Sequence, residues 1–124
     1  MIPQAARAAT APAVVTKAAV RAADRLALSN RLLAEVLGVS EATVSRMGAG
    51  TYQLAPASKP LELAVLFVRL FRSLDAIVGG DAAVARAWLR NENTVLGATP
   101  LSLIASVSGL VNVVAYLDTR RAVV

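Results

Sequence analysis

The 124-residue sequence contains neither cysteine nor histidine, and its aromatic content is only 4 %. Without cysteine the chain has no disulfide, no thiolate-bound metal and no thiol nucleophile. Without histidine it lacks the commonest general base and the commonest metal ligand. A surface that stacks nucleobases needs more aromatic side chains than this chain offers. We therefore predict a binding protein rather than an enzyme, with no cofactor and no metal site.

Hydrophobic residues make up 56 % of the chain, and most of them are alanine and valine. Alanine is the best helix former and buries little area per residue, which favours closely packed helices. The valine-rich segments are short and have helical rather than alternating spacing. The sequence therefore predicts an all-α fold.

The sequence from Asn93 to Leu117 carries no formal charge and is long enough to span a membrane. Polar residues interrupt it, as does Thr99-Pro100, an N-cap followed by a first-turn proline. We interpret this segment as two short buried helices. The first 23 residues contain basic but no acidic side chains, a composition that transit peptides share. Their hydrophobic stretch is weak, so we prefer the alternative, a flexible arm over residues 1–12 that leads into the first helix. We expect a cytoplasmic protein without a membrane segment.

Helical periodicity and capping residues divide the rest of the chain. The predicted helices cover residues 13–28, 30–37, 41–47, 61–78, 82–90, 100–106 and 110–121. Their predicted N-caps are Ser29, Ser40, Asp81 and Thr99, and Ser58-Lys59-Pro60 is predicted to open the longest helix. Gly109 is predicted to interrupt the chain before the last helix and to let that helix approach its neighbour closely. Two domains follow, over residues 13–57 and 58–124.

Positive charge is concentrated in the first half of the chain. Residues 1–59 contain seven basic and three acidic side chains, whereas residues 60–124 contain six and five. A basic first half suits contact with nucleic acid, and the second half is almost neutral and more apolar. This asymmetry indicates different roles for the two halves.

The segment from Asn30 to Met47 carries the most specific local pattern. Two helices that cross steeply through a three-residue turn need a small residue at the crossing, and Ala34 provides it. They also need a turn residue that tolerates positive φ, Gly38, and an aliphatic side chain that points back from the second helix, Val44. This spacing predicts a helix-turn-helix unit, and an ordinary helical hairpin is the alternative.

A helix-turn-helix unit places its second helix in the major groove of DNA, with the first residues of that helix at the base edges. The residues predicted to contact DNA from this helix are Ser40, Glu41, Thr43, Ser45 and Arg46. Arg46 suits a bidentate contact with guanine, whereas Glu41 either accepts from cytosine or only favours the positive end of the helix. The residues predicted to contact phosphates are Lys17, Arg25 and Arg31. Because this set is small, useful affinity requires a dimer on two half-sites.

The second half contains a series of residues that packing explains one by one. Trp88 is predicted to fill the junction between the fourth and fifth helices, Asn93 to bond loop backbone and Pro100 to begin a helix. In order, the series is Trp88-Leu89, Asn93, Leu96-Gly97, Pro100, Leu103-Ile104, Gly109, Val113 and Leu117. Together these residues resemble the C-terminal toxin-binding domain of the Xre/MbcA/ParS antitoxin family.

The resemblance extends over about residues 25 to 121, because the helix-turn-helix pattern matches the unit that usually precedes this domain. Two positions differ from the family pattern: Asn91-Glu92 stands where proline is usual, and Ala98 replaces a second glycine. The last residues, Asp118 to Val124, also lack the glycine and aromatic residue that often end the family's chains.

The resemblance implies an antitoxin of a type II toxin–antitoxin system that also represses its own operon by binding operator DNA. The resemblance implies as partner a RES-domain toxin that consumes NAD or uses it for ADP-ribosylation. It also implies that the C-terminal region of the antitoxin inhibits this toxin by covering or entering its NAD pocket. The residues expected to contact the toxin are Tyr116, Arg120, Arg121, Val123 and Val124. The alternative for Arg120 and Arg121 is that they contact no toxin and that their positive charge only stabilises the C-terminal end of the helix.

A stand-alone transcriptional repressor, whose second half only dimerises, would carry the same helix-turn-helix unit. The neighbouring gene distinguishes the two functions, because beside an antitoxin it should encode a RES-domain toxin. In both cases the apolar residues of the long fourth helix exceed what so small a domain buries on one side. We therefore expect a homodimer, or a larger complex with the toxin.

Overall fold

In a computed structural model, residues 11–123 are described, with their side chains up to residue 122. These residues form seven α-helices and no strand, which confirms the predicted all-α fold. The helices are α1 (Pro12–Arg25), α2 (Asn30–Leu37), α3 (Glu41–Gly48), α4 (Lys59–Ile77), α5 (Ala82–Arg90), α6 (Pro100–Leu103) and α7 (Val107–Val123). Residues 1–10 of the predicted arm lie outside the described residues, and Pro12 already begins α1. None of the described helices is both long and apolar enough to cross a bilayer.

Capping side chains fix where five of the helices begin. At each of these N-caps a side-chain oxygen accepts a hydrogen bond from the backbone N–H three residues later, which satisfies a donor that the helix leaves unpaired. The caps are Ser29, Ser40, Ser58, Asp81 and Thr99, with N···O distances of 3.1–3.3 Å. The four predicted caps are confirmed, and Ser58 caps α4, which begins two residues before the predicted start at Leu61.

α1 ends at Arg25, so the end predicted at residue 28 is wrong. Ala27 has a φ of 56°, in the left-handed region that usually favours glycine. The N–H of Leu28 donates to the carbonyl of Ala23 at 2.9 Å, and the N–H of Ala27 donates to that of Asp24 at 3.1 Å. These are the paired bonds of a Schellman motif. The prediction failed because an alanine gives no sign of this cap.

The boundary between the last two helices also differs from the prediction. α6 ends at Leu103 and α7 begins at Val107, so Gly109 lies in the first turn of α7 and does not interrupt it. Ser106 caps α7, because its Oγ accepts a hydrogen bond from the N–H of Gly109 at 3.1 Å. The prediction was wrong because it assigned this serine to the end of the sixth helix.

α4 is the central helix of the fold and packs against α1, α2, α5 and α7. Its side chains Phe67 and Leu74 are buried in the core. Ser73 is also buried, and its Oγ donates to Asp118 Oδ1 on α7 at 2.9 Å. Arg69 forms an ion pair with the same carboxylate. Since helices of both halves contribute to one continuous buried cluster, the two halves share a core.

Two arginines of α5 hold this helix against the end of α1. The Arg90 guanidinium donates to the carbonyl oxygens of Leu26 and Ala27 at 3.1 and 2.9 Å. Arg86 donates to the carbonyl oxygen of Arg25 at 3.2 Å. Carbonyls at the C-terminal end of a helix lack helical partners, and positive charge is favourable there. The contact therefore fixes the second half of the chain to the helix that precedes the helix-turn-helix unit.

Replacing Arg90 by methionine should lower the free energy of unfolding by about 2 kcal/mol, since a hydrogen bond from a charged donor contributes about 1.5–3 kcal/mol. Methionine keeps much of the aliphatic part of the side chain but donates nothing. Urea denaturation followed by circular dichroism measures the change. Arg86→Met is the matched control, which removes a single bond to α1 and should cost less. Equal stability of Arg90→Met and the parent would contradict this role for Arg90.

Candidate functional site

α2 and α3 are joined by a tight turn of Gly38, Val39 and Ser40. Gly38 has a φ of 71°, and the N–H groups of Gly38 and Val39 both donate to the carbonyl of Ala34, at 2.9 and 3.1 Å. Ala34 and Val44 are buried, and α2 packs directly against α3. This arrangement is the predicted helix-turn-helix unit.

The outer face of α3 presents a row of polar side chains to solvent. Ser40, Glu41, Ser45 and Arg46 are exposed, and Thr43 is half-buried. Thr43 Oγ1 accepts hydrogen bonds from Ser40 Oγ at 2.9 Å and from Arg46 Nη2 at 3.2 Å. The Arg46 guanidinium is thereby held along α3 towards the start of the helix. Its other N–H groups make no hydrogen bond with the described residues.

The residues of this row have different tasks within the protein. Ser40 Oγ accepts from the N–H of Thr43 at 3.1 Å while its proton is donated to the Thr43 hydroxyl, so both side chains help to begin α3 and to orient Arg46. Glu41 stands in the first turn of α3, where negative charge is favourable. Among the predicted DNA contacts on α3, Ser45 and Arg46 are exposed and keep donors that no described residue uses, and the exposed Glu41 carboxylate keeps its acceptor oxygens.

The basic residues predicted to contact phosphates do not form one cluster. Arg31 lies on the exposed side of α2, with its Nε 3.7 Å from the Glu35 carboxylate. Arg25 donates to a carbonyl of the turn between α4 and α5 at 3.3 Å. Lys17 lines a groove between α1 and α4, together with Arg72. The structure thus groups Lys17 with α4 rather than with the outer row of α3.

Three side chains form a stack at the surface between α5 and α7. The rings of Trp88 on α5 and Tyr116 on α7 have centroids 6.2 Å apart and an interplanar angle of 16°. The guanidinium carbon of Arg120, one turn after Tyr116, lies 5.1 Å from the centroid of the tyrosine ring. This arrangement, the α5–α7 stack, combines aromatic ring faces with a positive charge. The sequence analysis predicted Tyr116 and Arg120 as toxin contacts and assigned Trp88 to packing.

Grooves open on both sides of the α5–α7 stack, and its three side chains line both of them. One groove, of about 600 Å³, reaches the end of α4 and is lined there by Leu74, Ile77 and Val78. The other, of about 310 Å³, is lined by residues 91–95 and is more polar. The surface therefore combines ring faces, an apolar groove and a cation in one place.

Asn93 holds the connection between α5 and α6. Its Oδ1 accepts hydrogen bonds from the N–H groups of Val95 and Leu96, both at 3.0 Å, and its backbone forms a bridge with Ala98. This is the loop-bonding role predicted for Asn93. Pro100 is buried at the first position of α6, as predicted. The connection therefore gives the polar groove beside the stack a defined wall.

The remaining predicted toxin contacts lie elsewhere. Arg121 is exposed and lines a groove formed by α1 and α4, on another side of α7 from the stack. The side chain of Val123 and all of Val124 fall outside the described residues. Of the five predicted contacts, the structure brings together Tyr116 and Arg120.

Two family models match the chain. The antitoxin Xre-like helix-turn-helix domain matches residues 5–69, which include the crossing of α2 and α3. The antitoxin Xre/MbcA/ParS C-terminal toxin-binding domain matches residues 73–122, which include the α5–α7 stack. No curated protein matches the sequence. Because the two matches together cover almost the whole chain, the protein belongs to the Xre antitoxin family, with a helix-turn-helix domain followed by a toxin-binding domain.

Proposed function

We propose that the protein neutralises a RES-domain toxin, which consumes NAD or uses it for ADP-ribosylation, by covering the toxin's active site. The observation that carries the proposal is the α5–α7 stack, an ordered and partly exposed group of side chains within the matched toxin-binding domain. The RES identity of the toxin comes from the resemblance of the sequence motif. In this role the protein binds and performs no reaction of its own.

The stack has the properties of a binding hot spot. Tryptophan, tyrosine and arginine contribute most to the energetics of protein interfaces. Here the rings of Trp88 and Tyr116 are already held together, so their ordering costs little when a partner binds. The apolar groove of about 600 Å³ beside them accommodates partner side chains. We therefore place the toxin across the surface between α5 and α7.

The end of α7 is suited to block an NAD site. A pocket that binds a pyrophosphate offers cationic and polar groups. In this proposal Val123 and Val124 enter that pocket. Arg120 and Arg121 pair with toxin carboxylates at the pocket's edge. A chain in the pocket excludes NAD by occupying its volume, so inhibition needs no chemistry.

Co-expression of the full chain with the product of the neighbouring gene tests this proposal. We expect a stable complex in gel filtration, with the NAD consumption of the toxin abolished. A chain that ends at Arg121 keeps the stack and lacks the last three residues, so it should bind the toxin but inhibit it less. If the full chain in molar excess neither binds the toxin nor slows NAD consumption, the protein is a stand-alone repressor.

We also propose that α3 binds operator DNA and that the protein represses its own operon. Thr43 orients the guanidinium of Arg46, whose other N–H groups suit O6 and N7 of a guanine. Ser45 is exposed next to it and offers a short hydroxyl donor. Arg31 and Lys17 contact phosphates in this proposal, which positions the protein without reading the sequence.

Arg46→Ala should weaken operator binding by about 1–3 kcal/mol, roughly a 5- to 150-fold rise in Kd, and relax the sequence preference. Lys17→Ala should instead weaken binding evenly across sequences and reduce its salt dependence, because a phosphate contact carries no sequence information. Gel-shift titrations with the operator and a scrambled duplex measure both effects. Equal operator binding by Arg46→Ala and the parent would contradict the assignment of α3.

Binding to two half-sites requires a dimer, and α7 offers a surface for it. The homodimer was expected from the apolar side chains of α4, but α1, α2 and α7 of the same chain cover most of these side chains. Exposed apolar side chains remain at Val107 and Val111, one turn apart on α7, with 55 % and 45 % exposure. Because residues 93–117 carry no formal charge, two copies can approach there without repulsion. We propose the homodimer contact at this end of α7.

A further inference from the structure

We propose that the groove between α1 and α4 is a second protein-docking surface, which binds an acidic amphipathic helix of a partner protein. This α1–α4 groove lies apart from the α5–α7 stack, since the two cavities share no lining residue. Among the residues that line the α1–α4 groove, Arg121 is also a proposed toxin contact and Lys17 a proposed phosphate contact, so the variants that test the groove leave both unchanged.

The floor of the α1–α4 groove is apolar and open to solvent. It is lined by Val14 and Ala18 of α1 and by Val65, Val68 and Phe71 of α4. Val14 is 50 % and Val65 37 % exposed. Two adjoining cavities along the groove have volumes of about 330 and 400 Å³. Contiguous apolar side chains of this kind gain free energy when another apolar surface covers them, which is typical of an interaction site.

Positive charge surrounds this floor. Lys17 and Arg21 of α1, Arg72 of α4 and Arg121 of α7 line the groove. None of these four side chains forms an ion pair with a residue that the structure describes. Within the described part of the chain these cations therefore have no acidic partner, and they attract one from another molecule.

The combination of charge and apolar floor selects the occupant. A second copy of the chain, paired through the same groove, would bring two cationic rims together, which is unfavourable. Duplex DNA matches the charge but has no apolar surface with which to cover Val68 and Phe71. An amphipathic helix with apolar anchors on one face and acids beside them matches both features.

The dimensions of the groove set the length of the partner helix. From Val14 to Arg25, α1 is roughly 17 Å long, which corresponds to about three helical turns in the partner. Asp24 and Asp75 lie at one end of this surface. The acids of the partner therefore meet the four cations along the rest of the groove, Lys17, Arg21, Arg72 and Arg121.

Two synthetic helical peptides, each about 14 residues long, test the proposal on the full chain. Both carry leucine on one face, and the flanking positions are glutamate in one and lysine in the other. Fluorescence anisotropy should show that the acidic peptide binds at least about tenfold more tightly than the basic one. Arg21→Glu/Arg72→Glu should reverse this preference. Arg31→Glu/Arg46→Glu, which changes the net charge equally on α2 and α3, should preserve it.

The variant Val14→Ser/Val65→Ser tests the apolar floor at two exposed positions. It should weaken the binding of the acidic peptide at least about tenfold. Four results would overturn the proposal. The first is that neither peptide binds, and the second is that both bind equally well. The third is that the serine variant no longer self-associates. The fourth is that the acidic peptide does not bind while Arg21→Glu/Arg72→Glu loses binding to duplex DNA. The third would assign the groove to a second copy, and the fourth to nucleic acid.

Discussion

Replacing Gly109 by alanine should lower the free energy of unfolding by about 2–3 kcal/mol, although the residue lies in a helix. Alanine is the better helix former by about 1 kcal/mol, so helix propensity alone predicts stabilisation. A Cβ at this position, however, would lie 1.9 Å from the carbonyl oxygen of Leu103 and 2.7 Å from its carbonyl carbon. Both are backbone atoms, so no side-chain rotation relieves the overlap. The end of α6 and the start of α7 must separate, and this cost outweighs the propensity.

Gly48 provides the matched control, because it is also helical and a Cβ added there has no neighbour within 4 Å. Gly48→Ala should stabilise the protein by roughly 0.5–1 kcal/mol. Urea denaturation followed by circular dichroism measures both variants. A neutral or stabilising effect of Gly109→Ala would show that α6 and α7 do not approach as closely as described.

Local interactions explain which parts of the fold the sequence predicts well. An N-cap such as Ser40 or Asp81 bonds a backbone N–H three residues away, and the turn after α2 needs only the positive φ of Gly38. Both signals depend on a few adjacent residues, so they are visible without the fold. For this reason the predicted ends of α2 and α5 agree with the structure.

The parts that sequence reasoning missed depend on contacts between distant residues. Ala27 adopts the left-handed conformation without being glycine, and its carbonyl is held by Arg90, 63 residues further along the chain. The ion pair between Arg69 and Asp118 joins two helices whose neighbourhood no local pattern reveals. Trp88 likewise acquires its place in the stack only when α5 and α7 come together.

Helical spacing separates the two arginines that are predicted to contact the toxin. Tyr116 and Arg120 are four residues apart, which places them on one face of α7. Arg121 is one residue further and therefore about 100° around the helix. The structure accordingly directs Arg121 to the α1–α4 groove and Arg120 to the α5–α7 stack.

Removing the stack should weaken toxin binding by at least about 2 kcal/mol, roughly 30-fold in Kd, because truncated hot-spot residues cost this much. The variant is Tyr116→Ala/Arg120→Ala, which removes the ring that stacks on Trp88 and the cation above it. The matched control, Tyr52→Ala/Arg31→Ala, removes the same two side-chain types from exposed positions outside the toxin-binding domain. Arg120→Glu, at an exposed residue, tests the charge without disturbing the core.

One measurement tests most directly whether the chain neutralises an enzyme through the surface between α5 and α7. Purified toxin is titrated with each of these proteins, and its rate of NAD consumption is measured. We predict that the parent and the Tyr52→Ala/Arg31→Ala control stop consumption at the same concentration. The stack variant should need about 30-fold more protein, and Arg120→Glu should be impaired while its circular dichroism spectrum is unchanged. Full inhibition by the stack variant and by Arg120→Glu at the parent's concentration would contradict the claim.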